Sequence, residues 1–257
     1  MNQWAIGTLF AAGAFVGMLA MVELGRHLRR RRVARDGDTG GAGLGTVEGA
    51  MFALMGLLVA FTFSGAASRL EARRQVIVDE ANDIGTAYLR LDLLPPAPRA
   101  ALQEKFREYV DTRLAGYRAS DDPTVAYLKL AQATALEGDI WAEAVAGCQP
   151  PGTACAMLLL PALNAMFDIA AARTASLQMH PPVVIFAMLG VLALVCTLLA
   201  GFSMGVNPSR SWLHVVAFAA TLALTIYVTM DLEYPRLGLI RIEYFDRLLA
   251  DVRAAMR

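Results

Sequence analysis

The chain has 257 residues, 56% of them hydrophobic, and its 23 basic and 23 acidic side chains cancel to a formal net charge of zero. Soluble domains hold about 45–50% apolar residues, so this composition, with a mean hydropathy of +0.46, points to a membrane protein. The balanced charge leaves no bulk basic field and argues against a nucleic-acid partner.

Four apolar stretches, at 4–21, 46–67, 183–204 and 213–230, each approach the length of roughly 20 residues that a helix needs to cross a bilayer. The first opens with "MNQWAIG", which lacks the positive n-region of a secretory signal. Its positive charge follows instead, in "GRHLRRRRVAR". Arg26, Arg29, Arg30, Arg31, Arg32 and Arg35 predict a stop-transfer cluster that stays cytoplasmic. Four crossings then place both termini outside and the segments 26–45 and 206–211 inside. The chain this implies crosses its membrane several times.

The second stretch passes into charged sequence with no proline between, so one helix is predicted over about 46–93, roughly 70 Å long. Two faces can be traced on it. Gly56, Ala60, Ser64 and Ser68 recur every four residues, a spacing that lets helices pack closely in lipid. Val59, Thr62, Ala66, Arg69, Arg73 and Glu80 form the other face, and its small, hydroxylated and charged residues are the candidates to line a water-filled path. A structural reading stands beside it, since hydroxyls can bond backbone carbonyls and arginines at a span end can snorkel to headgroups.

Residues 69–181 read as an extracytoplasmic bundle of four amphipathic helices with short connections. Pro95, Pro96 and Pro98 end the first of them. The second, over about 99–118, carries Leu102, Phe106, Tyr109, Val110, Leu114 and Tyr117 on one face. "SDDP" supplies an N-cap and a proline for the third, and the fourth is predicted over about 159–179 with Pro161 near its start. Cys148 and Cys155 flank the turn-rich "QPPGTA" and are either a disulfide in an oxidising compartment or two buried thiols. His27, His180 and His214 stand apart from one another and from cysteine, so no metal site is predicted, and no cofactor.

Residues 182–231 hold the last two spans. At their outer end Asp231, Glu233, Arg236 and Arg241, with Glu243, alternate in sign through a Pro-Gly turn. They read as an outer charged clasp onto the Arg69–Asp83 segment, with an ion relay as the alternative. Residues 232–257 end in an amphipathic helix with Ile242, Phe245, Leu249, Val252 and Met256 in one stripe, which packs on the bundle or on the membrane surface.

The segments "LLVAFTFSGAASR", "DEANDIGTAYLRLDLLP" and "DLEYPRLGLIRI" resemble the bestrophin-like domain family of bacterial membrane proteins, from about residue 46 to the C-terminus. By analogy the resemblance implies a channel. Bestrophin anion channels are pentamers that narrow at bulky apolar residues of the second membrane helix, for which Phe52, Val59 and Phe63 are the candidates here. No acidic cluster resembles the bestrophin calcium clasp.

No phosphate loop, nucleophile elbow or His–Cys pair speaks for an enzyme. The expectation is therefore an all-α membrane protein with four spans and a helical bundle. It acts as a homo-oligomeric channel or permeation protein for small ions, with membrane lipid as its other partner. The alternative is a membrane-anchored sensor or scaffold that works through a partner protein.

Overall fold

The computed structural model describes residues 3–37, 44–119, 122–150, 153–177, 179–205, 212–233, 240 and 243–256. Among them every regular element is a helix. In chain order these are α1 (Gln3–Asp36), α2 (Leu44–Arg90), α3 (Pro96–Arg118), α4 (Pro123–Gly147), α5 (Ala154–Ser176), α6 (Val183–Met204), α7 (Trp212–Glu233) and α8 (Glu243–Ala255), with a 3-10 turn at Leu91–Leu93. Five of them, α1, α2, α5, α6 and α7, are long and apolar enough to cross a membrane. The fifth is α5, which the sequence reading assigned to the bundle.

Local chemistry sets the boundaries. The Asp122 carboxylate accepts from the amides of Thr124 and Val125 at 3.0 and 3.2 Å, satisfying orphan donors of α4 behind Pro123. Thr153 does the same for α5 through the Ala156 amide. That cap starts α5 five residues before the predicted position and leaves Pro161 inside the helix rather than near its first turn.

The chain forms two compact units. One comprises Met1–Leu70 with His180–Ile240, and the other Glu71–Met179 with Arg241–Arg257. Helix α2 contributes to both.

In the first unit α1 packs against α6 and α7. A Cβ on Gly25 would lie 2.1 Å from the Leu198 carbonyl oxygen, and one on Gly201 would lie 2.1 Å from that of Val22. Only glycine permits two backbones to meet so closely, and such contact is what holds helices together where lipid removes the hydrophobic drive. Gly190 lies near Phe10, Gly17 near Leu194, and Gly205 near Arg29. Contacts thus advance along both chains together, so α1 and α6 run parallel. Helix α2 joins through Met51, Phe52, Met55, Leu58 and Val59. Its contacts with α7 also advance together, from Phe52 on Phe218 to Arg69 on Glu233. With α6 they run oppositely, Glu48 meeting Ser203 and Met51 meeting Cys196.

In the second unit the apolar face of α3, from Leu102 to Tyr117, is buried among residues of α2, α4, α5 and α8. Each large side chain fully removed from water there contributes about 1.5–3 kcal/mol. Leu249 and Met256 of α8 belong to this core, and Arg253 forks onto Asp111 with two contacts of 2.9 Å. Cys148 and Cys155 are joined by a disulfide and sit in the same core. Cys196 is free and buried in the first unit.

Candidate functional site: the second helix and its charged partners

The two faces traced on α2 differ in where they point. Gly56, Ala60, Ser64 and Ser68 are all exposed, and a Cβ added at Gly56 would touch nothing within 4 Å. The Ser64 and Ser68 hydroxyls have no hydrogen-bond partner among the described residues, whereas Thr62 bonds the Leu58 carbonyl, and Thr225 and Thr229 likewise bond back one turn. The stripe expected to pack is therefore left open among the described residues.

The opposite face is largely consumed inside the protomer. Val59 and Thr62 are half-buried and Ala66 is fully buried. Among the bulky residues considered for a constriction, Phe52 packs edge-on against Phe218 at 5.8 Å, while Phe63 is exposed. The reason is geometric: α2 has one side to offer the remaining helices, and the side with Met55, Val59 and Ala66 is the one they cover.

Arg69 folds back over Gly65, whose absent side chain leaves room for the guanidinium 3.3 Å from a would-be Cβ. From there its Nε donates to Glu233 at 2.8 Å, and its Nη2 reaches the same oxygen. Glu233 is fully buried, so this ion pair joins α2 to α7 within the first unit. Asp231 instead accepts from the Ile240 amide at 2.9 Å. Arg236 and Arg241, expected in the outer charged clasp, lie outside the described residues.

In the second unit Arg73, also buried, donates to the carbonyl oxygens of Ser176 and Met179 at 3.4 and 2.8 Å. A cation there compensates the negative end of α5. Glu80 is fully buried. It accepts from Arg113 Nε at 2.9 Å, from the Tyr117 hydroxyl at 3.1 Å, and from Arg173. Arg113 also donates to the Ala170 carbonyl at 3.1 Å, and the Arg173 guanidinium lies 3.5 Å above the Tyr117 ring. In this structure Glu80 thus ties α2 to α3 and α5 from inside the bundle. The cost of burying its charge is offset by three donors.

Protonation follows from that burial. The Tyr117 phenol is pushed up first by burial and then by the Glu80 charge. Tyr109 donates to Glu137 at 3.0 Å and is raised well above the ordinary phenol value, chiefly by burial. Burial also lifts the Glu137 carboxyl, against the hydrogen bond from Tyr109 and the Arg113 charge. Arg113 stays cationic: burial would lower it, but Tyr117 and Glu80 outweigh that.

The sequence reading missed Arg113 and Arg173. A signal existed for the first, because Arg113 falls in the apolar stripe of α3 one turn before Tyr117, where a lone cation needs an acid. No group of three or more His, Cys, Asp or Glu suited to a metal occurs among the described residues.

Long apolar helices, one shared between an apolar unit and a helical bundle, define an all-α membrane protein. The bestrophin-like domain profile matches residues 9–244, and the chain belongs to that family. No curated protein and no solved structure matches it.

Proposed function

We propose that the chain assembles as a homo-oligomer in a bacterial inner membrane and forms a permeation path for small ions along the exposed face of α2. The observation that carries this reading is the stripe Gly56, Ala60, Ser64 and Ser68, open on the protomer, with two hydroxyls that have no partner among the described residues. Hydroxyls at membrane depth need an acceptor, which water in a path or a neighbouring copy supplies. The lining thus shifts from the Val59–Glu80 face to this one. Membership of the bestrophin-like family supports a channel-like role.

Four crossings fit the helix directions. Spans one and three of an up-down series run parallel, as α1 and α6 do, and so do spans two and four, as α2 and α7 do. A crossing by α5 would reverse α6 relative to α1. The Arg cluster of α1 favours a cytoplasmic end there, and the disulfide favours an oxidising side for the bundle.

Ion flux into proteoliposomes under anion and cation gradients tests the function. Wild-type protein should conduct, and Ala60→Trp or Ser64→Trp should block, because the indole would project from the open face. Flux unchanged in both variants would overturn the lining, and no flux from wild type would turn the reading toward a scaffold or receptor.

A further inference from the structure

The C-terminal end of α1 holds a cation that the fold does not use. Arg26 is only 4% exposed, yet among the described residues it makes no hydrogen bond and no ion pair. Its neighbour Arg29 is employed: its guanidinium lies 5.3 Å above the Phe202 ring, and its stem fills the space left by Gly205. Among the acids of the first unit whose side chains are described, Glu48 is engaged by the Ser203 hydroxyl, Asp231 by the Ile240 amide and Glu233 by Arg69, while Glu23 is exposed a turn earlier. The stem of Arg26 is covered while its guanidinium nitrogens keep access to the surface, and a cation at that depth with no acceptor among the described residues favours an anion from outside the chain.

Arg30 follows Arg26 by four residues, so the two side chains stand one above the other on one helix face. Arg30 is exposed. Together they offer a buried prong and an exposed one, with the planar donor fork that suits a phosphate. Depth selects which phosphate. From residue 4 to Arg26 the helix climbs roughly 33 Å, about the hydrocarbon thickness, which brings Arg26 to the headgroup layer. We infer that Arg26 and Arg30 form a binding site for the phosphate of an anionic phospholipid headgroup in the leaflet where α1 ends.

The test is lipid retention by the full-length protein released from nanodiscs of equal phosphatidylcholine and phosphatidylglycerol, read by native mass spectrometry. Wild type should keep phosphatidylglycerol preferentially. Arg26→Gln and the exposed Arg30→Gln should each weaken that preference about fivefold, while Arg32→Gln, on another face, should leave it intact. Equal retention of both lipids by wild type would overturn the site. An equal loss in Arg32→Gln would reduce it to diffuse charge, and release of the lipid by millimolar inorganic phosphate would reassign it to a soluble anion. Arg30→Gln keeps the proposal falsifiable should Arg26→Gln fail to fold, and the readout does not depend on conduction.

Discussion

At Glu80 one carboxylate faces two guanidinium groups and a phenol, all inside the bundle. Removing it strands Arg113 and Arg173 without their anion, and breaking a buried pair in this way costs about 3–5 kcal/mol. Glu80→Ala should therefore lower the thermal midpoint of the purified protein sharply, and Glu80→Gln, which keeps an acceptor, should do less harm. Equal midpoints for wild type and Glu80→Ala would deny the network its structural role. Glu137 works with the opposite sign. Its carboxyl is held above the ordinary value of 4.5, mainly by burial, so it binds a proton more readily in the fold than in the unfolded chain. The stability it contributes is complete below that value and is lost as pH rises through the raised one. Glu137→Gln, which can still accept from Tyr109, should melt higher than wild type at neutral pH, and the gap should close on acidification. A gap independent of pH would remove Glu137 from the account. Neither role was legible in the sequence. Glu80 falls on the same trace of α2 as Val59 and Arg69, and periodicity reports which residues share a face but not whether protein or water covers it.

At the scale of the helix, glycines that look alike in sequence do opposite work. Gly25 and Gly201 lie where α1 and α6 touch backbone to backbone, while Gly56 opens onto empty space. Gly201→Leu must push the helices apart, and overpacking of this kind costs about 1–3 kcal/mol or more when backbone has to move. Gly56→Leu should leave the monomer's thermal midpoint unchanged and alter the oligomer instead, as seen by mass photometry or cross-linking. A destabilised fold in Gly56→Leu with assembly intact would contradict the open-face assignment. Apolar length made the spans readable, and the Asp122–Pro123 cap was readable as well. The start of α5 was not: Thr153 is a sound N-cap, but the "QPPGTA" turn before it and Pro161 after it suggested a later beginning. The pairing of α1 with α6 was equally hidden, because close approach depends on two glycines 176 residues apart in the numbering.

At the scale of the whole molecule the direction of helices bears on what composition leaves open. By length and apolarity α5 qualifies as a span alongside α1, α2, α6 and α7. Its side chains speak for the bundle, since Leu159, Leu163 and Met166 are buried in the core built on α3. Direction adds a separate argument. If α1 leads into the cytoplasm and α2 leads out, a crossing α5 would return the chain to the cytoplasm and force α6 outward, antiparallel to α1. The contacts Phe10–Gly190, Gly17–Leu194 and Arg29–Gly205 run the other way. Accordingly, in a Cys196→Ala background with the native disulfide oxidised, Asp168→Cys on the exposed side of α5 should react with a membrane-impermeant maleimide added to intact spheroplasts. Arg31→Cys should react only after permeabilisation, because it lies at the far end of α1. Protection of Asp168→Cys under both conditions would place α5 in the bilayer and require the order of the later helices to be redrawn. Reaction of both cysteines from outside would keep the four spans and reverse only the sidedness inferred from the arginines.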